Sequence, residues 1–233
     1  MYNIDIELAF SDLEIVTSTV QEINVHIKKS RNGDLIPLPP SIDIQEDETG
    51  LIIKESFGDN GFTLKEFGKF LTGENRSVYL YIEIPQDFVI EHALIVLKTG
   101  DLRLNGITCN TVEIKALAGD VKGKDVVIES IQATLAAGDI KLFGEIEEIH
   151  LDLKAGDIKL SPSVNVESIN INSAVGDVKL ELPNVSDYAV FSSLSLGELK
   201  FKRFESPVTL NPESEKKIFV KSKVGDFKIY KSF

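Results

Sequence analysis

Lys154–Leu160 reads "KAGDIKL", and it has near-copies on either side: "LAAGDIKL" at 135–142 and "SAVGDVKL" at 173–180. The shared element is glycine, an acid, an aliphatic residue or Phe, then a base. It occurs at Gly100-Asp101, Gly119-Asp120, Gly138-Asp139, Gly156-Asp157, Gly176-Asp177, Gly197-Glu198 and Gly225-Asp226, at spacings of 19, 19, 18, 20, 21 and 28. Seven copies at a nearly fixed period are the signature of a repeat architecture.

The flanking residues give the secondary structure. Ile149, Leu151 and Leu153 lie seven, five and three places before Gly156; Ile158 and Leu160 lie two and four after it. This period of two on both sides marks half-buried strands and does not fit a helix. Each repeat therefore reads as strand, corner at Gly-Asp, strand, turn. Glycine can take a positive φ at the corner, and the acid can accept from nearby backbone amides in an Asx-type turn. A coil of about 19 residues cannot bury its apolar face alone, so stacking is required. The expected fold is all-β: a single-stranded parallel β-helix, right-handed by the crossover rule, with a β-rich N-terminal cap.

Stacking in chain order turns each repeat position into a column. One place after glycine stands an acidic column. Three places after it stands a basic one: Arg103, Lys122, Lys141, Lys159, Lys179, Lys200 and Lys228. Rungs about 4.8 Å apart bring like charges together, and the adjacent column of opposite sign offsets the repulsion. The columns read as devices for solubility and register.

One continuous domain is expected, with residues 1–90 as the cap and first coils and 91–233 as regular repeats. Strand alternation is visible in "IDIELAF", "LEIVTS", "INVHIKK", "GLIIKES" and "SVYLYIEIP". The prolines of "DLIPLPPSID" (34–43) suit a loop that blocks strand addition. Residues 56–77 break the pattern; Leu64, Phe67, Phe70 and Leu71 would share one face of a short helix. Phe57, Phe62, Phe67 and Phe70 are the candidate partner-binding residues, because aromatic side chains outside the needs of a coil dominate binding hot spots. The rival reading makes them a cover for the core. Residues 203–217 account for the last long spacing as a loop bulging from the final coils.

Catalytic and metal signatures are sparse. His26, His92 and His150 show no metal-ligand spacing, and Cys109 stands alone. No nucleophile elbow, P-loop or dinucleotide fingerprint occurs. Calcium-binding β-rolls use a different period with more glycine, and each acid here is followed two places later by a cation. Carbohydrate-active β-helices need clustered carboxylates; the outward places before each glycine are mixed and Trp is absent. No catalytic residue, cofactor or metal is assigned. The net charge of −12, from 37 acidic and 25 basic residues, disfavours nucleic acid. No apolar run is long enough for a transmembrane helix. The start, "MYNIDIELAF", lacks the basic and apolar regions of a secretory signal, so the expectation is either a cytoplasmic protein or one whose targeting segment lies outside this sequence.

With "IELAFSDLEIV", "LIIKE", "VYLYIEIPQDFVIEHALIVLKTGDLRLNGI" and the run of "AGDVKG", "AGDIKL" and "VGDVKL", the chain resembles the β-strand-repeat family of unknown function labelled "putative adhesin". The resemblance covers nearly the whole chain. It implies a non-enzymatic β-helical domain, often on envelope-associated proteins, and carries no catalytic residues. The leading expectation is a scaffold that binds an unidentified protein or envelope component. The alternatives are a self-associating, bactofilin-like structural protein, hence a homo-oligomer, and a carbohydrate-active enzyme.

Overall fold

The computed structural model of the chain describes residues 1–56, 78–164, 166–204, 208 and 210–232. Among them, the single helical element is a 3-10 turn at Val185–Asp187; all other regular structure is strand. The alternation seen in the sequence sorts side chains as a pleat demands. In β11 (Ile140–Ala155), Ile146, Ile149, Leu151 and Leu153 are buried, whereas Glu148 and Lys154 face water.

Each repeat rung has a long arm and a short arm that meet at its Gly-Asp corner. The long arms are hydrogen-bonded in the order β4 (Ile42–Asp47), β5 (Gly50–Glu55), β1 (Asn3–Leu8), β7 (Val89–Thr99) and β9 (Thr108–Ala118). The later part of β10 (Val121–Ala137), the later part of β11, β13 (Ser168–Val175), β17 (Lys217–Val224) and β15 (Ala189–Leu196) complete them. The short arms run β3 (Asn24–Lys28), β6 (Tyr79–Pro85), β2 (Asp12–Ser18), β8 (Leu102–Asn105), then the early parts of β10 and β11. β12 (Ile158–Pro162), β14 (Val178–Leu182), β18 (Phe227–Lys231) and β16 (Leu199–Lys202) follow. Every pairing is parallel except β4–β5 and β3–β6, which are antiparallel.

At both ends, the spatial order departs from the chain order that the repeat alone suggests. The β1/β2 rung sits between β5/β6 and β7/β8, and the β17/β18 rung sits between β13/β14 and β15/β16. The physical reason is hydrophobicity. Ile218, Val220, Phe227 and Ile229 of β17 and β18 are at most 2% exposed, as an interior rung requires. The matching "AVFSSLSL" and "LKFK" bury Ala189 alone and form the outer rung. The stretch after β16 lets the chain step back past that rung. Its Phe204, Val208 and Leu210 pack against the core.

The head of the stack closes differently. Strand β4 carries Asp43, Glu46 and Asp47, the type of charged edge that resists further pairing. The tail ends on β15, which has no charged residue.

Leu153 and Lys154 test the register. Leu153→Asp places a carboxylate among apolar side chains and is expected to cost about 3 kcal/mol or more. Lys154→Asp stays in water and should shift stability by less than about 1 kcal/mol. Denaturant melts read both; equal losses would contradict the register.

Candidate functional site

The repeat corners form one column. Gly100, Gly119, Gly138, Gly156, Gly176, Gly225 and Gly197 all have φ between +129° and +153°. A Cβ on Gly138 would lie 2.0 Å from the carbonyl oxygen of Gly119, so even alanine cannot enter. The neighbouring acids join rung to rung. The Asp120 N–H donates to Asp101 Oδ1 at 3.0 Å, Asp139 to Asp120 at 3.0 Å, and Asp157 to Asp139 at 3.0 Å. Asp177 donates to Asp157 at 2.8 Å, Asp226 to Asp177 at 3.0 Å, and Glu198 to Asp226 at 3.1 Å. The acids thus bond the next rung, where the sequence suggested a turn within each rung. Asp12, in "FSDLE", extends the column by accepting from Asp101 N–H at 2.8 Å. Its rung has no corner glycine. Glu55 braces that corner instead, accepting from the Ala9 and Phe10 amides and the Ser11 hydroxyl.

The second carboxylate oxygens take the basic column. Lys122 and Lys141 each bond the acid of their own rung, at 2.8 and 2.9 Å. Towards the tail the pairs also cross rungs: Lys228 reaches Asp177 at 2.6 Å and Lys200 reaches Asp226 at 2.7 Å. The Lys200 bond and the Glu198 amide hold Asp226 down to about 2. Lys122 and the Asp139 amide likewise lower Asp120; the Asp157 amide and Lys141 lower Asp139. With both oxygens engaged, Asp120, Asp139 and Asp226 serve the stack.

Two other polar features are saturated or inert. Glu14, almost buried, accepts from Tyr79 Oη, from Arg31 and from Asn105 Nδ2, which ties the residues around 31 to the head rungs. Burial, then the Glu14 bond, push the Tyr79 hydroxyl above its ordinary range. Burial pushes the Cys109 thiol up to about 12, so it stays protonated. Among the described residues no three of His, Cys, Asp and Glu are grouped to hold a metal ion.

The face that exposes aromatic and cationic side chains together is the outer face of the last three long arms, β13, β17 and β15. None of the chain's 37 acidic residues lies in these strands. Lys217, Lys221 and Lys223 point outward and, among the described residues, form no ion pair. Phe219 and Phe191 are neighbours in register, 42% and 45% exposed, with rings stacked at 4.8 Å and 12°. Asn170 and Asn172 extend the face. An open groove of about 340 Å³ beside them is lined by Thr134, Asp152, Lys154, Asn172, Lys221 and Lys223. Its one acid, Asp152, accepts from Asn172 Nδ2 at 2.9 Å and pairs with His150 at 3.2 Å.

Phe57, Phe62, Phe67 and Phe70, with the short helix expected over 56–77, fall outside the described residues, apart from Ser56. The fold brings the Gly-Asp corners together in one column, and the groove's Lys154 and Lys223 each lie two residues before a corner glycine. The Phe191–Phe219 pair was not singled out from the sequence. Its signal was available: Phe191 lies six places before Gly197 and Phe219 six before Gly225, the outward place that His150 occupies before Gly156.

The profile of the Toastrack DUF4097 family matches residues 1–230, and the chain belongs to that family. The solved structures similar to the chain include two from bacteria. One is a "putative cell adhesion protein" from Clostridium sporogenes ATCC 15579, at 12% identity and TM-score 0.44, covering 99% of this chain and 92% of that one. The other is a "putative adhesin" from Bacteroides fragilis NCTC 9343, at 16% identity and TM-score 0.45, covering 99% and 93%. No curated protein matches the chain.

The lowered aspartates predict acid sensitivity. A carboxylate whose folded pKa lies below its unfolded value of about 3.9 stabilises fully above that value and loses the contribution as pH falls through the folded pKa. The melting temperature should hold from neutrality down to about pH 5 and then fall steeply towards pH 2. Asp139→Asn keeps one acceptor oxygen but drops the charge. It should melt lower at pH 7 and lose less between pH 7 and pH 3. An unchanged acid-induced loss in that variant would contradict the role of the column.

Proposed function

We propose that this Toastrack-family chain is a non-enzymatic adhesion or interaction scaffold that binds a macromolecular partner of the cell envelope. The observation that carries the reading is the tail face: acid-free strands with outward lysines and an exposed phenylalanine pair, on a protein of net charge −12. Selective exposure of aromatic area and unpaired cations suits recognition of a partner. The corner column supports it by holding the strands in a fixed register, so the face is preorganised. The Phe57, Phe62, Phe67 and Phe70 segment is the second contact in this proposal.

The test is retention of native envelope components on the immobilised protein, compared across three double variants. Phe191→Ser with Phe219→Ser, and Lys221→Glu with Lys223→Glu, change exposed side chains and should leave the melting temperature within a few degrees. Each is expected to lose the retained component. Phe67→Ser with Phe70→Ser should weaken retention if the aromatic segment takes part. Unchanged retention in the two tail-face variants would overturn the tail face as the binding surface. Absence of any specific retained component would overturn the scaffold reading.

A further inference from the structure

Among the described residues, the tail of the stack ends on β15, which pairs with β17 alone. Ala189 N–H donates to Lys216 C=O, towards β17. In a parallel ladder, alternate residues turn their amide and carbonyl to opposite sides. Ala189, Phe191 and Ser193 therefore serve the β17 ladder. Val190, Ser192 and Leu194 direct theirs to the open edge. Natural sheets protect such edges with charge, proline, bulges or short length. Over its eight residues, β15 has no charge and no proline, whereas the opposite end of the stack is closed by antiparallel strands, one of them acidic.

The neighbouring side chains specify the occupant. Phe191 stacks on Phe219 through one ring face and has its other face at the end of the stack. Ser193 lies beside Lys221 in register, and Ser195 is also small and exposed, so the unpaired Lys221 and Lys223 are not screened from an added strand. We infer that the β15 edge takes an extended acidic peptide segment of a partner protein by parallel strand addition. Its backbone would pair with Val190, Ser192 and Leu194. An aromatic residue would continue the Phe219–Phe191 stack, and carboxylates on the same face would meet Lys221 and Lys223. Backbone bonds supply the affinity of strand addition and alternate side chains its specificity. The lysines on an acid-free face give the charge complementarity. The inference rests on the scaffold reading and names the chemistry of its partner.

The experiment uses the full chain and the acetylated peptide Val-Phe-Val-Glu-Val-Glu-Val, with binding followed by fluorescence anisotropy. Controls are the same peptide with lysine for glutamate, and poly-glutamate, which carries charge without strand propensity. Ser192→Pro removes one edge amide that the β17 ladder does not use, a placement edge strands tolerate. Should its melting temperature fall, Ser192→Lys makes the same test with an inward charge at the edge. The acidic peptide should bind the native chain, bind the Ser192 variant at least about tenfold more weakly, and bind Lys221→Glu with Lys223→Glu more weakly still. The lysine peptide should prefer that charge-reversed variant. Equal binding to the Ser192 variant, or equally tight binding of poly-glutamate, would overturn strand addition while leaving the scaffold reading to its own retention test. Self-association of the native chain in sedimentation that Ser192→Pro abolishes would show a second copy as the occupant, and would also overturn the proposal. Failure of the native chain to bind the acidic peptide would count against it directly.

Discussion

The structure depends on one contact: the carbonyl oxygen of each corner glycine lies where the next corner's Cβ would be. A Cβ at Gly225 would sit 2.0 Å from Gly176 O, and one at Gly197 would sit 2.0 Å from Gly225 O. This close approach lets the aspartate beside each glycine reach the following rung's amide. The carboxylate then has its second oxygen free for a lysine, and the like charges of the column are separated by cations. A hydrogen bond to a charged group contributes about 1.5–3 kcal/mol at best, and partial exposure lowers that figure here. The larger stabilisation comes from the apolar side chains that the registered corners align. Leu142, Leu160 and Leu180, for example, occupy one continuous inward row and are at most 1% exposed.

The strands and their corners were legible because both are local. Alternation around Gly156 requires no knowledge of what lies across the sheet. Rung order was not legible, since it is a competition between distant segments. "KIFVKSKVGDFKIY" and "AVFSSLSLGELKF" both fit the repeat, and only their relative hydrophobicity decides which is buried on two sides. Asp12 was missed for a related reason. Its corner lacks glycine and relies on Glu55, 43 residues further along the chain. The tail face was hidden in the same way. Its stacked phenylalanines are 28 residues apart and would be neighbours in either rung order; the interleaving decides that β15, not β17, is the outer strand of the face. The pattern before each glycine held the outward positions, but not which rungs would touch.

Interleaving has a consequence for the ends. The β1/β2 and β17/β18 rungs each have neighbours on both sides, so the segments nearest the chain ends are held within the ladder. The outer rungs come from internal segments instead, and those two ends differ. The head is antiparallel, with acidic β4 at its edge. The tail is parallel, neutral along β15 and backed by lysines. Among the described residues the two ends therefore differ in strand direction and charge, which fits the proposed scaffold whose partner engages the tail.

The interleaved order of the last rungs is the claim on which the tail face stands, and paired cysteines test it directly. In a Cys109→Ala background, Asn172→Cys with Lys221→Cys places thiols on adjacent strands if β17 lies beside β13. Asn172→Cys with Ser193→Cys does so only if the rungs stack in chain order. A disulfide needs Cα atoms within about 7 Å. The interleaved order predicts rapid intramolecular oxidation of the first pair and little of the second. Efficient bridging of the second pair, with the first left reduced, would contradict it.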